Sequence, residues 1–219
     1  MLRVSATELE QYRYYLYNDW LDFPTLVDRL RGVRDETIEM RAGTAFHALL
    51  EDASEGREID HVERDGFYFR LNLDSSLSLP PMREIKTERE YTIGGETVVL
   101  VSMADAILGR KVWDHKLTGD FDAENYIDSM QWRTYLTLFD ADEFVYNVFE
   151  GGEARKTKAN ALLPGIVWDV DSLHQLTMRR YPGMEDDVLR MLTEFTKFVR
   201  QYVPERFDDP VAAAKRLPF

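Results

Sequence analysis

Residues 100–119 read LVSMADAILGRKVWDHKLTG. Alternating strand-forming runs flank Gly109-Arg110, a two-residue turn signal, so the stretch reads as a β-hairpin. If Leu108 pairs with Lys111, counting back along both arms sets Asp105 opposite Asp114. The period of two places Val101, Met103, Ile107, Val112 and Lys116 on the face of those two acids, with Trp113 and His115 on the other. Directly opposed residues have Cβ atoms roughly 4.5–5.5 Å apart, a separation at which like charges destabilise a hairpin. Two carboxylates on an otherwise apolar face have three resolutions: one acid protonates, a basic side chain neutralises the pair, or a divalent cation binds between them. Lys116 serves the second and completes the third. Charged residues on an exposed strand are also commonly plain solvated surface, and the hairpin alone does not separate these readings.

The 219 residues, 44% of them hydrophobic, suffice for one sizeable core, and a single domain spanning 1–219 is expected. No run of 18 apolar residues is present, and MLRVSATELEQY lacks the charged-then-apolar order of a signal peptide, so a soluble cytoplasmic protein with no membrane partner is expected. With zero cysteines, disulfides, thiolate zinc sites, iron–sulfur clusters and cysteine nucleophiles are excluded, leaving oxygen and imidazole as metal ligands. A net charge of −13 argues against diffuse attraction to nucleic acid but does not constrain one groove, where divalent cations invert the local sign.

Outward from the hairpin, Ser5 and Glu8 have capping-box spacing ahead of a helix from about Ala6. Ala42, Ala45, Phe46, Leu49 and Leu50 recur at helical spacing, with His47 and Glu51 four apart on one face. Strand signals run from Asp65 to Lys116: GFYFRLNL, EREYTI, a Gly94-Gly95 turn, then a run from Glu96 to Leu108, together an antiparallel meander. Residues 122–139 are helical in spacing, residues 143–163 read as two strands about Gly151-Gly152, and residues 184–203 form an amphipathic helix stopped by Pro204. Pro80-Pro81 is the nearest thing to a break. The order of elements gives an α/β (α+β) protein with a mixed central β-sheet flanked by helices.

Taken in order, GTAFH, MADAI, VWDHK and QWRTY resemble the PD-(D/E)XK nuclease superfamily, in its RecB-like and phage exonuclease branch. The resemblance spans about residues 5–136. It implies a restriction-endonuclease-like core at about 40–165, with the helical segment at about 184–203 outside it. It further implies that His47, Asp105, Asp114 and the carbonyl of His115 hold one or two Mg²⁺ or Mn²⁺ ions. Lys116 is implied to orient or activate the attacking water, and Gln131 and Tyr135 to support the site and contact the DNA strand. Ser102 stands where relatives usually have glycine, Leu117 separates the lysine from Thr118, and the cysteines of cluster-bearing relatives are missing, so no iron–sulfur cluster is expected.

The implied activity is a metal-dependent deoxyribonuclease, an exonuclease acting on DNA ends in phage or bacterial recombination, repair or replication. The partner would be DNA, with a homo-oligomer or a recombination or replication protein as possible company. A nuclease fold that has become a catalytically inactive DNA- or protein-binding subunit is the alternative. Arg41, Arg133, Arg155, Lys156 and Lys158 are candidates for DNA contact, with Tyr12, Tyr14 and Tyr15 as stacking groups. Glu51, Glu84, Glu88 and Glu90 read as surface acids, and His61 and His174 carry no signal.

Overall fold

Strand β1 (Leu2–Ser5) ends on the residue that caps α1 (Ala6–Tyr17). In the computed structural model, which describes residues 1–18, 21–33, 35–54, 63–73 and 84–207, the capping box is formed. Ser5 Oγ accepts from the Glu8 amide at 3.1 Å, and Glu8 Oε2 accepts from the Ser5 amide at 2.8 Å. Next come α2 (Phe23–Leu30), started by Asp22 accepting from the Thr25 amide, and α3 (Ile38–Ser54), which carries the apolar spacing around His47. Pro80-Pro81 and His61 lie outside the described residues.

The strands are β2 (Glu63–Arg64), β3 (Phe67–Leu71), β4 (Ile85–Ile93), β5 (Glu96–Ala104), β6 (Ala106–Leu108), β7 (Lys111–Thr118), β8 (Glu143–Glu153) and β9 (Ile166–Arg179). They form a three-stranded sheet in the order β1-β5-β4 and a six-stranded sheet in the order β2-β3-β9-β8-β7-β6. Both are mixed: β1 runs parallel to β5, β3 to β9 and β7 to β8, and the other pairs are antiparallel. Helices α4 (Ala123–Ile127) and α5 (Met130–Leu138) precede β8, and α6 (Met184–Tyr202) follows β9.

The expected mixed sheet flanked by helices is therefore present, with two differences in detail. The run from Glu96 to Leu108 is not one strand, because a bend at Asp105 hands the chain from the three-stranded sheet to the six-stranded one. Both arms of the expected meander are antiparallel hairpins, β4–β5 about Gly94-Gly95 and β6–β7 about Gly109-Arg110, yet they belong to different sheets. Residues 143–163 are likewise not a hairpin. Strand β8 runs straight through Gly151-Gly152, and its antiparallel partner is β9. The glycines mark a close approach rather than a turn: the register shifts between Glu150 and Gly151, and a Cβ on Gly151 would stand 1.9 Å from the Asp169 carbonyl oxygen.

Three apolar clusters hold the elements. Leu9, Tyr12, Leu26, Phe195 and Phe198 pack α1, α2 and α6 against Val98 and Leu100 of β5. On one face of the six-stranded sheet, Trp132, Tyr135 and Leu136 of α5 cover Val112, Phe144, Tyr146 and Val148. On the other, Phe46, Leu49 and Leu50 of α3 cover Phe67, Phe69, Phe149 and Trp168. Alternation along β7 thus sends Asp114 and Lys116, register partners of Tyr146 and Val148, to the α5 face, and His115 to the opposite one. Among the described residues, no helix is long and apolar enough to cross a membrane.

Candidate active site

The carboxylates converge where the two sheets part. Asp105 occupies the bend between β5 and β6, and Asp114 lies on β7, its side chain only 3% exposed. The register Leu108–Lys111, Ile107–Val112, Ala106–Trp113 brings the two acids level, as the hairpin count requires. Asp105 Oδ2 accepts the backbone N–H of His115 at 2.6 Å, which ties the bend to β7. From α3, His47 Nε2 meets Asp105 Oδ1 at 2.8 Å. Lys116 Nζ stands 2.8 Å from Asp114 Oδ2.

Gln131 and Tyr135, one turn apart on α5, reach the acids from the helix side of the sheet. Ser129 caps that helix, its Oγ accepting from the Gln131 amide at 3.0 Å, and Glu10 of α1 accepts the Met130 amide at 2.6 Å. Gln131 Nε2 lies 3.4 Å from both Asp114 Oδ1 and the Tyr135 hydroxyl, and that hydroxyl donates to the Met103 carbonyl at 2.7 Å. The structure therefore assembles His47, Asp105, Asp114, Lys116, Gln131 and Tyr135 into one cluster. Of His115 it places the backbone there, while the side chain is buried behind the strand, where Nδ1 faces Asn147 Nδ2 at 3.2 Å.

Electrostatically the acid pair is held by basic groups, the second of the three resolutions. Burial raises the Asp114 pKa, Lys116 opposing and Asp105 adding to the rise. Burial acts in the same direction on Asp105 but is outweighed by the hydrogen bond and charge of His47, so its carboxyl sits below the usual range. Burial alone would make His47 and Lys116 less basic; Asp105 overrides it for the imidazole and Asp114 for the ammonium, and both are held above their ordinary values. His115 goes the other way, burial pushing it down to about 4.

Glu51 and Glu84, read from the sequence as surface acids, turn out to neighbour His47. One ligand atom from each of the three lies within 4.8 Å of the others. Burial and the charge of Glu51 raise the Glu84 carboxyl. The spacing of His47 and Glu51 by four was a usable signal; the approach of Glu84 across the chain was not. The groups here that could ligate a metal, the carboxylates of Asp105, Asp114, Glu51 and Glu84, the His115 carbonyl and the His47 imidazole, are the set that suits a hard divalent cation such as Mg²⁺ or Mn²⁺, and a buried pair of acids meets the charge such an ion needs.

The other DNA-contact candidates are dispersed. Tyr12 is buried against Phe195 and Phe198, with ring centroids at 5.4 and 5.2 Å, and Tyr14 and Tyr15 pack on the same cluster, so these rings serve the core rather than stack on bases. Arg133 is spent on the α5 N-terminus, donating to the Asp128 and Ser129 carbonyls at 2.6 and 2.7 Å. Arg41 lies 5.7 Å over the Phe67 ring. Arg155, Lys156 and Lys158 are exposed.

No family model matches the chain, and no curated protein matches it. Solved structures do. A phage-related exonuclease from Haemophilus somnus shares 11% identity over 93% of this chain and 96% of its own, at a TM-score of 0.52. The protein SSO0001 shares 15% identity over 90% of this chain and 77% of its own, also at 0.52. An alkaline exonuclease from Laribacter hongkongensis shares 14% identity over 97% and 94% of the two chains, at 0.47. At such identities the likeness is one of fold, and the chain has the fold of the phage-related exonuclease: a mixed sheet flanked by helices.

Proposed function

We propose that the chain is a divalent-metal-dependent deoxyribonuclease, an exonuclease that hydrolyses phosphodiester bonds at DNA ends in phage or bacterial recombination, repair or replication. The observation that carries this reading is the meeting of Asp105, Asp114 and Lys116, with His47 over Asp105, at the break between two sheets of a fold shared with a phage-related exonuclease. Asp105 and Asp114 with the His115 carbonyl would hold the ion, and His47 with Glu51 and Glu84 offers donors for a second. When bound there, such an ion would supply Lewis-acid stabilisation of the phosphoryl oxygens.

The chain's own residues do the rest. Lys116, held by Asp114 and directed to the α5 face, orients the attacking water and offsets negative charge that develops on the phosphate. Gln131 fixes the outer oxygen of Asp114, and Tyr135, anchored on the Met103 carbonyl, fixes Gln131. This second layer keeps the carboxylate in one orientation, which in-line attack requires. His47 fixes Asp105 in the same way.

The test is digestion of end-labelled linear and circular duplex DNA with Mn²⁺ or with EDTA. Metal-dependent release of nucleotides from linear DNA is expected. A chain that binds DNA without cutting it under any metal would be the inactive nuclease-fold subunit instead.

A further inference from the structure

The connection from β8 to β9 contains Arg155, Lys156 and Lys158, all exposed. Cations elsewhere are largely committed: Arg3 pairs with Glu88, Arg64 with Asp52, Arg110 with Asp142, Arg206 with Glu8, and Arg200 with Glu96. These three make no ion pair among the described residues, and with Glu153 two residues before them residues 153–158 carry a formal charge of +2 on a chain whose net charge is −13.

The backbone under them is fixed. Asn160 Nδ2 donates to the Arg155 carbonyl at 2.8 Å, the Asn160 amide donates to Thr157 Oγ1 at 3.1 Å, and the Ala161 amide to the Thr157 carbonyl at 3.0 Å. Arg70, itself paired with Asp169 at 2.5 and 2.8 Å, donates to Asn160 Oδ1 at 3.1 Å and anchors the segment to β3. Of the acids nearest in sequence, Glu150 is engaged by His174, Asp169 by Arg70 and Asp171 by Asn72, while Glu153 is exposed two residues before Arg155.

Its place follows from the register. Strands β7 and β8 are parallel; β7 ends at Thr118 opposite Glu150, while β8 runs on to Glu153 and into this connection. The cations thus project from the end of the sheet toward which β7 carries Asp114 and Lys116. Val148 lies opposite Lys116, seven residues before Arg155. At about 3.3 Å per residue of extended chain that is at most about 23 Å, since β8 shifts register at Gly151 and ends at Glu153, or no more than about seven base pairs at about 3.4 Å each. Residues 154–163 contain no aromatic side chain. Single-strand binding relies on stacking platforms, so what this segment offers is charge for the phosphates of a duplex.

We propose that Arg155, Lys156 and Lys158 form a rigid phosphate clamp that grips duplex DNA within about seven base pairs of the scissile bond, an assignment that rests on the nuclease reading above. The experiment measures binding of a labelled 30-base-pair duplex and a 30-nucleotide single strand, roughly spanning site and clamp, by anisotropy in EDTA across a salt series. The proteins are wild type, the variant Arg155→Ala/Lys156→Ala/Lys158→Ala, and the equal-charge control Arg29→Ala/Arg179→Ala/Lys197→Ala. Losing three phosphate contacts should reduce the slope of log affinity against log salt on duplex by about 2.7 for the clamp variant, with the control slope equal to wild type. Equal slopes for wild type and clamp variant, an equal loss in the control, loss confined to the single strand, or no duplex binding by wild type would each overturn the clamp. Cleavage is read separately: a slope change in a protein that cuts no DNA with Mn²⁺ sinks the nuclease reading and leaves the clamp, whereas cleavage with coincident slopes does the reverse.

Discussion

Acidification should destabilise the fold through His115. The imidazole is 6% exposed; Nδ1 faces the Asn147 amide nitrogen, and the buried Nε2 has no hydrogen-bond partner. Asn147 Oδ1 is already taken by Gln175 Nε2 at 2.9 Å, so nothing there receives a second proton. Burial holds the folded pKa at about 4 against an ordinary 6.5. Because the folded value is the lower one, the unfolded chain takes up the proton first as pH falls, and stability present above pH 6.5 is lost toward pH 4. The complete loss is about 3.4 kcal/mol; between pH 7 and pH 5 it is about 1.8 kcal/mol. Urea denaturation of wild type and His115→Asn at both pH values, in EDTA, isolates the contribution, since His47 and the carboxylates titrate in both proteins. The stability gap between the two should move against wild type by about 1.8 kcal/mol on going to pH 5. A gap constant to within about 0.5 kcal/mol would refute the buried neutral imidazole.

Binding of Mn²⁺ to the native acids should raise the melting temperature: saturation at about 100 times Kd is worth about 2.7 kcal/mol, or about 5–10 °C for a chain this long, and a scanning-calorimetry trace unmoved by millimolar Mn²⁺ speaks against the site. Glu51→Ala/Glu84→Ala should shrink that shift while leaving the apo melting temperature nearly unchanged. Lys116→Ala should lower cleavage by about 10²–10⁴-fold with the circular dichroism spectrum intact, and full activity would remove the lysine from the mechanism. Gly151→Ala drives a Cβ against the Asp169 carbonyl, 1.9 Å away, and should cost more than about 2 kcal/mol in chemical denaturation; a neutral result would mean the bulge relaxes.

Local chemistry was legible in the sequence and long-range pairing was not. Ser5 and Glu8 announce their helix because a capping box is complete within four residues, and Gly109-Arg110 fixes the level of Asp105 with Asp114 because a two-residue turn sets its own register. The bend at Asp105 left no mark, since Ala104 and Ala106 continue the strand pattern on either side. Strand β9 was missed altogether: IVWDVDSLHQLTMR faces solvent at several positions, and its partners β3 and β8 lie far along the chain. Gly151-Gly152 imitates a hairpin because close backbone approach and tight turning ask for the same residue. At the site, the tyrosines of α1 could be told from stacking groups only once α6 was seen beside them.

The bend at Asp105 sets the acid pair at the junction of two sheets. One carboxylate is mounted where the β1-β5-β4 sheet ends, the other on β7, beside the edge strand of the larger sheet, and besides the chain itself the His115 amide on Asp105 and the Tyr135 hydroxyl on the Met103 carbonyl tie the two together. The gap between the acids is therefore set by how the smaller sheet is seated on the larger one. Helices α1 and α6, which pack against β5 of the smaller sheet, thereby bear on the spacing of the acid pair although neither carries one of the two acids.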